Sequence, residues 1–517
     1  MTGRAATDRQ DEVFAFLAAP ATHGIAEPVK RIDTHAAAVF LAGPDVYKVK
    51  RAIRFPFMDQ STLARRRAAC EAEVRVNRAF TPDLYRGVMP IVREGSVLRL
   101  GGDGEAVEWV VHMKRFDETR TLDLVAERGE ITDDLTAAIA GLILASHRDA
   151  EVGNGERATT ALAGVVDETL TELIEAPDIF PATPTATLAA AMRAAFQRVR
   201  PLLLERGAAG RVRRCHGDLH LRNIALLDRG PILFDAIEFD ESIATTDVLY
   251  DLAFTLMDLC ERKLVGGANL LLNRYLWGSD DIGGEIVGLA TLPLFMSLRA
   301  AVLAKVDAIR YRSIEHAPRA RRETMRYFDI AATFLTPAAE PRLIAVGGLS
   351  CTGKTMLAAK LAPTVGRAPG AVHLRSDIER KRQFGVAELE RLPDDAYRPE
   401  VTERVYAALR AQAAAALHAG HSVIVDAVHA TIQERHAVAA VAAAASAPFT
   451  GLWLEAPPAV LAARVVARQA DASDATARVV ADQVHWSVGP IDWARVDATP
   501  PIDQVVGAAL AATAKPS

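Results

Sequence analysis

The sequence predicts two domains in series, an α+β domain followed by an α/β domain built on a parallel sheet. Three observations carry this. Between residues 38 and 113, short apolar runs of strand length crowd together before helical patterns take over, and sheet first with helices after is the order of an α+β domain. Beyond residue 342, short apolar runs alternate with helical stretches, which is the pattern of a parallel sheet covered on both faces. Between the two stands Thr336-Pro337-Ala338-Ala339-Glu340-Pro341, where two prolines interrupt a helical pattern just before an apolar run. The expected division is a domain over 1–335, a linker over 336–341 and a domain over 342–517. A chain of 517 residues also exceeds what one hydrophobic core usually serves.

In the first domain, residues 38–41 and 46–49 read as strands joined by Gly43-Pro44-Asp45, a hairpin signal. A charged helix is expected over 62–80, then strands near 88–92, 97–100 and 107–113. The helices that follow are broken by a short strand pair near 224–234. The most apolar long stretch, 289–306, is interrupted by Arg299 and Lys305 and reads as a buried helix and not a membrane span. In the second domain the expected strands are 343–346, 372–374, 423–425 and 451–454, with alanine-rich helices over 405–419 and 437–445 whose apolar content suits packing.

A net charge of −5 supplies no global field for gripping nucleic acid or an acidic membrane. The four cysteines Cys70, Cys215, Cys260 and Cys351 form no C-x-x-C pair, so neither a disulfide framework nor a zinc site is indicated. With no apolar signal stretch among the first residues, the expected location is the reducing cytoplasm. Oligomeric state is left open.

The strongest motif is Gly348-Leu349-Ser350-Cys351-Thr352-Gly353-Lys354-Thr355, a full G-x-x-x-x-G-K-T between an apolar strand and a helical stretch. Amides of such a loop and of the following helix N-terminus converge on phosphate oxygens. Lys354 would neutralise the β- and γ-phosphates of ATP and Thr355 would hold Mg²⁺. Asp377, in Leu374-Arg375-Ser376-Asp377-Ile378-Glu379-Arg380-Lys381, falls at the carboxyl end of a strand, where ligands bind in open α/β sheets. It could accept or orient the acceptor hydroxyl's proton, with Arg380 one turn on as a substrate clamp; the bland alternative is an N-cap. Asp426, closing Val423-Ile424-Val425-Asp426, has the position of a Mg²⁺-coordinating acid, against the alternative of a strand-end turn. Arg464 and Arg468, four apart, share a helix face and could close over the phosphates, or simply face solvent.

A second constellation is His216-Gly217-Asp218-Leu219-His220-Leu221-Arg222-Asn223, followed by Leu233-Phe234-Asp235. An Asp, an Asn five residues on and an Asp after a strand reproduce the spacing of a kinase catalytic loop and metal-binding acid. Asp218 would take the hydroxyl proton, while Asn223 and Asp235 would hold Mg²⁺. His216 and His220 read as supporting residues, and Asp251 as a brace for the loop backbone. Glu238 and Asp240 stand equally well as loop acids or as ligands of a second ion. Upstream, Lys48 lies on a strand where kinases keep the lysine for the α- and β-phosphates, and Lys50, on the same face, competes with it. Glu73, in preference to Glu71, is the expected helix partner of that lysine, against a plain surface ion pair.

Residues 342 to the end resemble the P-loop small-molecule and polynucleotide kinases, on the runs GLSCTGKT, LRSDIERK and VIVDA and the Arg464/Arg468 segment. That resemblance implies ATP-dependent transfer to a hydroxyl, with Asp377 as base and Arg380 as its partner. Residues 25–335 resemble the aminoglycoside phosphotransferases, which share the protein-kinase fold and carry HGD-x-x-x-x-N. The chain departs from protein kinases in having no G-x-G-x-x-G before Lys48, and the turn Asp33-Thr34-His35-Ala36 is the candidate cover for the phosphates. Ala236-Ile237-Glu238-Phe239-Asp240 follows Asp235 in place of the kinase D-F-G and of the usual antibiotic-kinase run, so drug resistance is not inherited from the family. The whole resembles bacterial fusions of an aminoglycoside phosphotransferase-like domain with a P-loop kinase. That implies two kinase sites acting on small hydroxyl-bearing molecules. One alternative is a single active domain regulated by a nucleotide-sensing, silent partner; another is a C-terminal polynucleotide 5′-hydroxyl kinase, which neither the charge balance nor any basic-aromatic run favours.

Overall fold

The computed structural model describes residues 2–34, 36–55, 58–313, 318–336, 340–467 and 472–513. The chain divides into two compact units, Met1–Ile131 with Ala145–Val165 and Gly207–Thr255, and Thr132–Leu144 with Val166–Arg206 and Leu256–Ser517.

In the first unit the strands are β1 (Lys30–Asp33), β2 (Ala37–Ala42), β3 (Asp45–Lys50), β4 (Arg54–Phe55), β5 (Met58–Asp59), β6 (Tyr85–Glu94), β7 (Val97–Leu100), β8 (Glu105–Lys114), β9 (Val212–Arg214), β10 (Ile224–Leu227), β11 (Gly230–Leu233) and β12 (Thr245–Asp247). Six of them form an antiparallel sheet in the order β1-β2-β3-β8-β6-β7. The expected hairpin is β2–β3, closed by Gly43 and Pro44 with Ala42 opposite Asp45. One face of the sheet packs on the helix Leu63–Phe80, where Cys70 and Val74 meet Leu41, Val46, Val111 and Met113. Thr62 starts that helix by accepting the Arg65 amide, as an N-cap threonine does. The other face is covered by a helix the sequence reading did not anticipate, Thr2–Ala18, through Val13, Phe14 and Leu17. The expected strand pair is β10–β11.

The second unit holds five parallel strands: β13 (Leu343–Gly348), β14 (Val372–Arg375), β15 (Val423–Asp426), β16 (Phe449–Glu455) and β17 (Ala494–Asp497), in the order β14-β15-β13-β16-β17. Ile344 and Val346 of the central strand pack with Leu357, Leu361, Val505 and Ala509 from the helices Lys354–Leu361 and Ile502–Thr513. The helices Pro399–His418 and Ile432–Ala444 match the two alanine-rich stretches. The stretch Ile282–Ala308 is long and apolar enough to cross a membrane, and 72% of its most apolar window is buried within the protein. Its arginine, Arg299, is buried as well.

Gly155 and Gly207 meet within the first unit so closely that a Cβ on Gly207 would lie 2.6 Å from the Gly155 Cα. Backbone against backbone leaves nothing that can swing aside. Gly207→Ala is therefore expected to destabilise the chain by about 1–3 kcal/mol through overpacking, read as a lowered urea midpoint; an unchanged midpoint would contradict this contact.

Candidate functional sites

The first site assembles around one carboxylate. Glu73, on the sheet-facing side of the helix Leu63–Phe80, has no exposed side-chain surface, and both lysines of β3 reach it: Lys48 Nζ lies 2.9 Å from Oε1 and Lys50 Nζ 2.5 Å from Oε2. Lys48 and Lys50 differ in what else each touches. Lys48 also binds Asp235 Oδ1 at 2.7 Å, whereas the deeper Lys50 also pairs with Glu238. Asp235 keeps 45% of its side chain exposed, so Lys48 stands at the open end of the network and Lys50 at its closed end. Glu71 instead makes an exposed pair with Arg67.

Burial alone would raise the Glu73 pKa, but Lys48 and Lys50 outweigh it and hold the carboxyl well below the usual range. Burial likewise opposes the charge on Lys48, and Asp235 and Glu73 more than compensate, so its pKa is raised. Glu238 is raised by burial.

Asp235 sits in the left-handed region at φ 61°, an uncommon conformation for a residue other than glycine. Its neighbours hold it there. The Asp235 amide donates to the Tyr85 hydroxyl at 3.1 Å, and Asn77 binds both the amide and the carbonyl of Ala236 at 2.7 and 3.3 Å. The Phe234 amide donates to Asn223 O at 3.0 Å. His216 Nε2 lies 3.0 Å from Phe234 O, which ties the 216–223 loop to the Asp235 turn. Burial lowers the His216 pKa, which favours the neutral ring. Asp251 accepts the amides of His216 and Gly217 at 3.2 and 2.8 Å and contacts His147 Nε2 at 3.2 Å; it is the brace that the sequence suggested. Asn223 Nδ2 donates to Asp218 Oδ2 at 2.9 Å, and Asp218 remains 37% exposed. Within the Asp33–Ala36 turn, Thr34 bonds Ala37 O, while His35 lies outside the described residues.

In the second unit, the loop from Gly348 through Leu349, Ser350, Cys351, Thr352 and Gly353 leads from β13 into the helix Lys354–Leu361. Gly348 has φ 136°, and a Cβ there would meet Leu454 O at 2.6 Å, so only glycine fits. Lys354 Nζ donates to Leu349 O at 3.0 Å, folding over the loop. Thr355 Oγ1 donates to Asp426 Oδ2 at 2.6 Å. Burial would push the Asp426 pKa up, but His373, Lys354 and Arg375 together lower it. The Ser350 amide is taken by Gln483 Oε1 at 2.7 Å, a contact that the motif did not signal.

Arg464 reaches the loop, but at a carbonyl: it donates to Thr352 O at 3.3 Å and to Ala498 O at 2.6 Å. Arg468 lies outside the described residues. Asp377 is the second residue of the helix Ser376–Phe384, whose N-cap position is held by Arg375. Arg380 is buried, donates to Ala396 O at 2.6 Å and Thr402 Oγ1 at 3.3 Å, and stacks over Tyr397.

Both sites offer hard oxygen donors beside lysines, a donor set that fits magnesium better than a soft metal. Asp235 is half-exposed in one, and Thr355 and Asp426 stand side by side in the other.

Residues 45–283 match the family model of the phosphotransferase enzyme family, and residues 343–490 match that of the AAA domain. An uncharacterized protein of Mycobacterium tuberculosis, Rv2004c, is 29% identical over 492 residues, covering 92% of this chain and 94% of its own. A Mycobacterium bovis protein matches to the same extent. Among solved structures, a choline/ethanolamine kinase family protein from Mesorhizobium loti aligns at 15% identity with a TM-score of 0.41, covering 64% of this chain and 95% of its own. A gluconokinase from Sinorhizobium meliloti aligns at 22% identity with a TM-score of 0.25, covering 34% and 93%.

The Glu73 carboxyl generates a pH expectation. A carboxyl held below its unfolded pKa adds stability that is fully present above the ordinary carboxylate range and is lost as pH falls through the folded value. The unfolding free energy should therefore fall on acidification below about pH 5, and Glu73→Gln should flatten that slope in chemical denaturation measured at several pH values. An equal acid slope in both proteins would remove Glu73 as its source.

Proposed function

We propose, from the premise that the chain is a fusion of an aminoglycoside phosphotransferase-like domain with a P-loop kinase-like domain, that both halves transfer the γ-phosphoryl group of ATP to hydroxyls of small molecules. The chain is a kinase-type phosphotransferase; the proposal adds that two sites turn over, and that they do so in the cytoplasm. We place the functional division at 336–341, of which 337–339 lie outside the described residues.

The observation that carries this is the network in which Lys48 joins Glu73 to Asp235 while Asn223 binds Asp218. In the first site Lys48 leaves Asp235 for the α- and β-phosphates, and Glu73 keeps the ammonium aimed. Asp218 accepts the acceptor hydroxyl's proton as its oxygen bonds to the γ-phosphorus and the β–γ bridging bond breaks, releasing ADP. Magnesium, when bound, neutralises phosphate charge, and Asn223 and Asp235 are the residues to hold it. Lys50 stays with Glu73 and Glu238 and keeps the network folded.

In the second site the loop Gly348–Thr355 cradles the phosphates, Lys354 exchanges Leu349 O for them, and Thr355 with Asp426 holds the cation. Asp377 takes the proton from the second acceptor. Arg380 serves the acceptor side by fixing the wall at Ala396 and Thr402, and Arg464 supports the phosphate loop from its carbonyl side.

The test uses the full chain with Mg-ATP and a panel of sugars, aminocyclitols, nucleosides and 5′-hydroxyl oligonucleotides. Asp218→Ala and Asp377→Ala should each lower one acceptor-dependent activity about 10²–10⁴-fold and spare the other. If neither substitution changes turnover with any acceptor, the two-site reading fails; if only one does, the other domain is silent. The lysines separate in the same assay. Lys48→Met should raise the KM for ATP about tenfold or more, whereas Lys50→Met should act first on stability, by about 3–5 kcal/mol for a broken buried pair, in thermal melting. The reverse pattern would exchange their roles.

A further inference from the structure

β14 is one of the two edge strands of the parallel sheet, and its outer backbone groups are bonded by a helix from upstream of the linker. The helix Val265–Gly278 places Asn269, Asn273 and Trp277 at four-residue spacing on one face. Asn269 Nδ2 donates to Ala371 O at 3.0 Å. Asn273 accepts the His373 amide at 2.7 Å and donates to Ala371 O at 3.3 Å. Trp277 Nε1 donates to His373 O at 2.7 Å. Both asparagines are buried, so these bonds are made without competition from water.

The Trp277 ring has a second duty. Two guanidinium groups stack on it, Arg274 at 5.3 Å and Arg375 at 5.4 Å from the centroid. Arg274 binds Glu388 at 2.5 Å, and Arg375 Nη1 lies 3.8 Å from the other Glu388 oxygen. Arg375 Nε stands 3.9 Å from Asp426 Oδ2, beyond hydrogen-bonding distance. An arginine beside a buried carboxylate gains most by closing to a two-bond fork at about 2.8 Å. Here the guanidinium also has the aromatic face of Trp277 and the Glu388 carboxylate as neighbours.

We propose that Trp277 is a positioning residue of the P-loop site, keeping Arg375 off Asp426 so that this carboxylate remains open to a divalent cation. The inference rests on the P-loop reading above. Without the ring, Arg375 relaxes onto Asp426 and competes with the cation for the same oxygens.

The test uses the full chain carrying Asp235→Asn to silence the first site, with a fluorescent non-hydrolysable ATP analogue titrated against Mg²⁺ and thermal melting run alongside. Trp277→Leu should raise the half-saturating Mg²⁺ for analogue binding about tenfold, the scale of an outer-shell substitution. Adding Arg375→Gln to that variant should return it to within about twofold of the parent. Trp277→Phe, which keeps the ring but loses the bond to His373 O, should match the parent's Mg²⁺ requirement while melting lower. The inference is overturned if Trp277→Leu leaves the requirement unmoved, if Arg375→Gln does not restore it, or if Trp277→Phe raises it as much as Trp277→Leu does. Should Trp277→Leu fail to fold, Trp277→Phe and Arg375→Gln alone decide, since a raised requirement in either contradicts the stacking role. Lys354→Ala distinguishes the two levels. Analogue binding indifferent to it overturns the P-loop reading and this inference together; Lys354-dependent binding with an unmoved Mg²⁺ requirement overturns this inference alone.

Discussion

A carboxylate removed from water stays charged only if cations come to it, and in this protein that constraint organises the first site. Glu73 has no contact with solvent, so β3 must deliver Lys48 and Lys50 to it. Each lysine then needs further negative charge. Lys48 finds Asp235 and Lys50 finds Glu238, both on the segment after β11. One buried acid thus ties the sheet, the helix Leu63–Phe80 and the Asp235 turn together. Breaking such a pair leaves an uncompensated charge and costs far more than the pair itself contributes, so the arrangement confers precision of placement more than net stability.

The phosphate loop of the second unit meets a related constraint with backbone groups. Its amides must be left available for an anion and yet cannot be orphaned when buried. Gln483 takes the Ser350 amide, Lys354 covers Leu349 O, and Arg464 covers Thr352 O. One amide and two carbonyls of the loop are thereby satisfied by side chains from elsewhere in the unit and from the loop's own lysine.

What could be read from the sequence was what is encoded locally. The loop Gly348–Thr355 carries Gly348 because Leu454 O excludes a Cβ there and Gly353 because its φ is 92°, and the Asp218–Asn223 spacing is fixed by a short loop, so both were legible. The hairpin β2–β3 and the cap at Thr62 likewise follow from neighbouring residues. What was missed depends on distant partners. Asn77 and Tyr85 fix the Asp235 turn, but nothing in their own surroundings in the chain announces it. Gln10, on the unanticipated helix Thr2–Ala18, bonds Lys50 O and Glu108 at 2.9 and 2.8 Å, and no short-range pattern relates residues so far apart. β17 escaped because only Val496 of its four residues is buried, leaving no alternation to detect. Arg380 shows the converse: a one-turn spacing from Asp377 suggested a ligand contact, and the fold applies that guanidinium to Ala396 O.

The polar face of Val265–Gly278 bears on how such a fusion can be divided. Strand edges with unpaired amides and carbonyls are templates for other chains, and among the described residues Asn269, Asn273 and Trp277 occupy the outer groups of β14. A fragment begun at Arg342 would leave those groups bare and present a flat, sticky border to its own copies. The covalent boundary and the mechanical boundary therefore differ, and an expression fragment meant to remain monodisperse has to start upstream of residue 265.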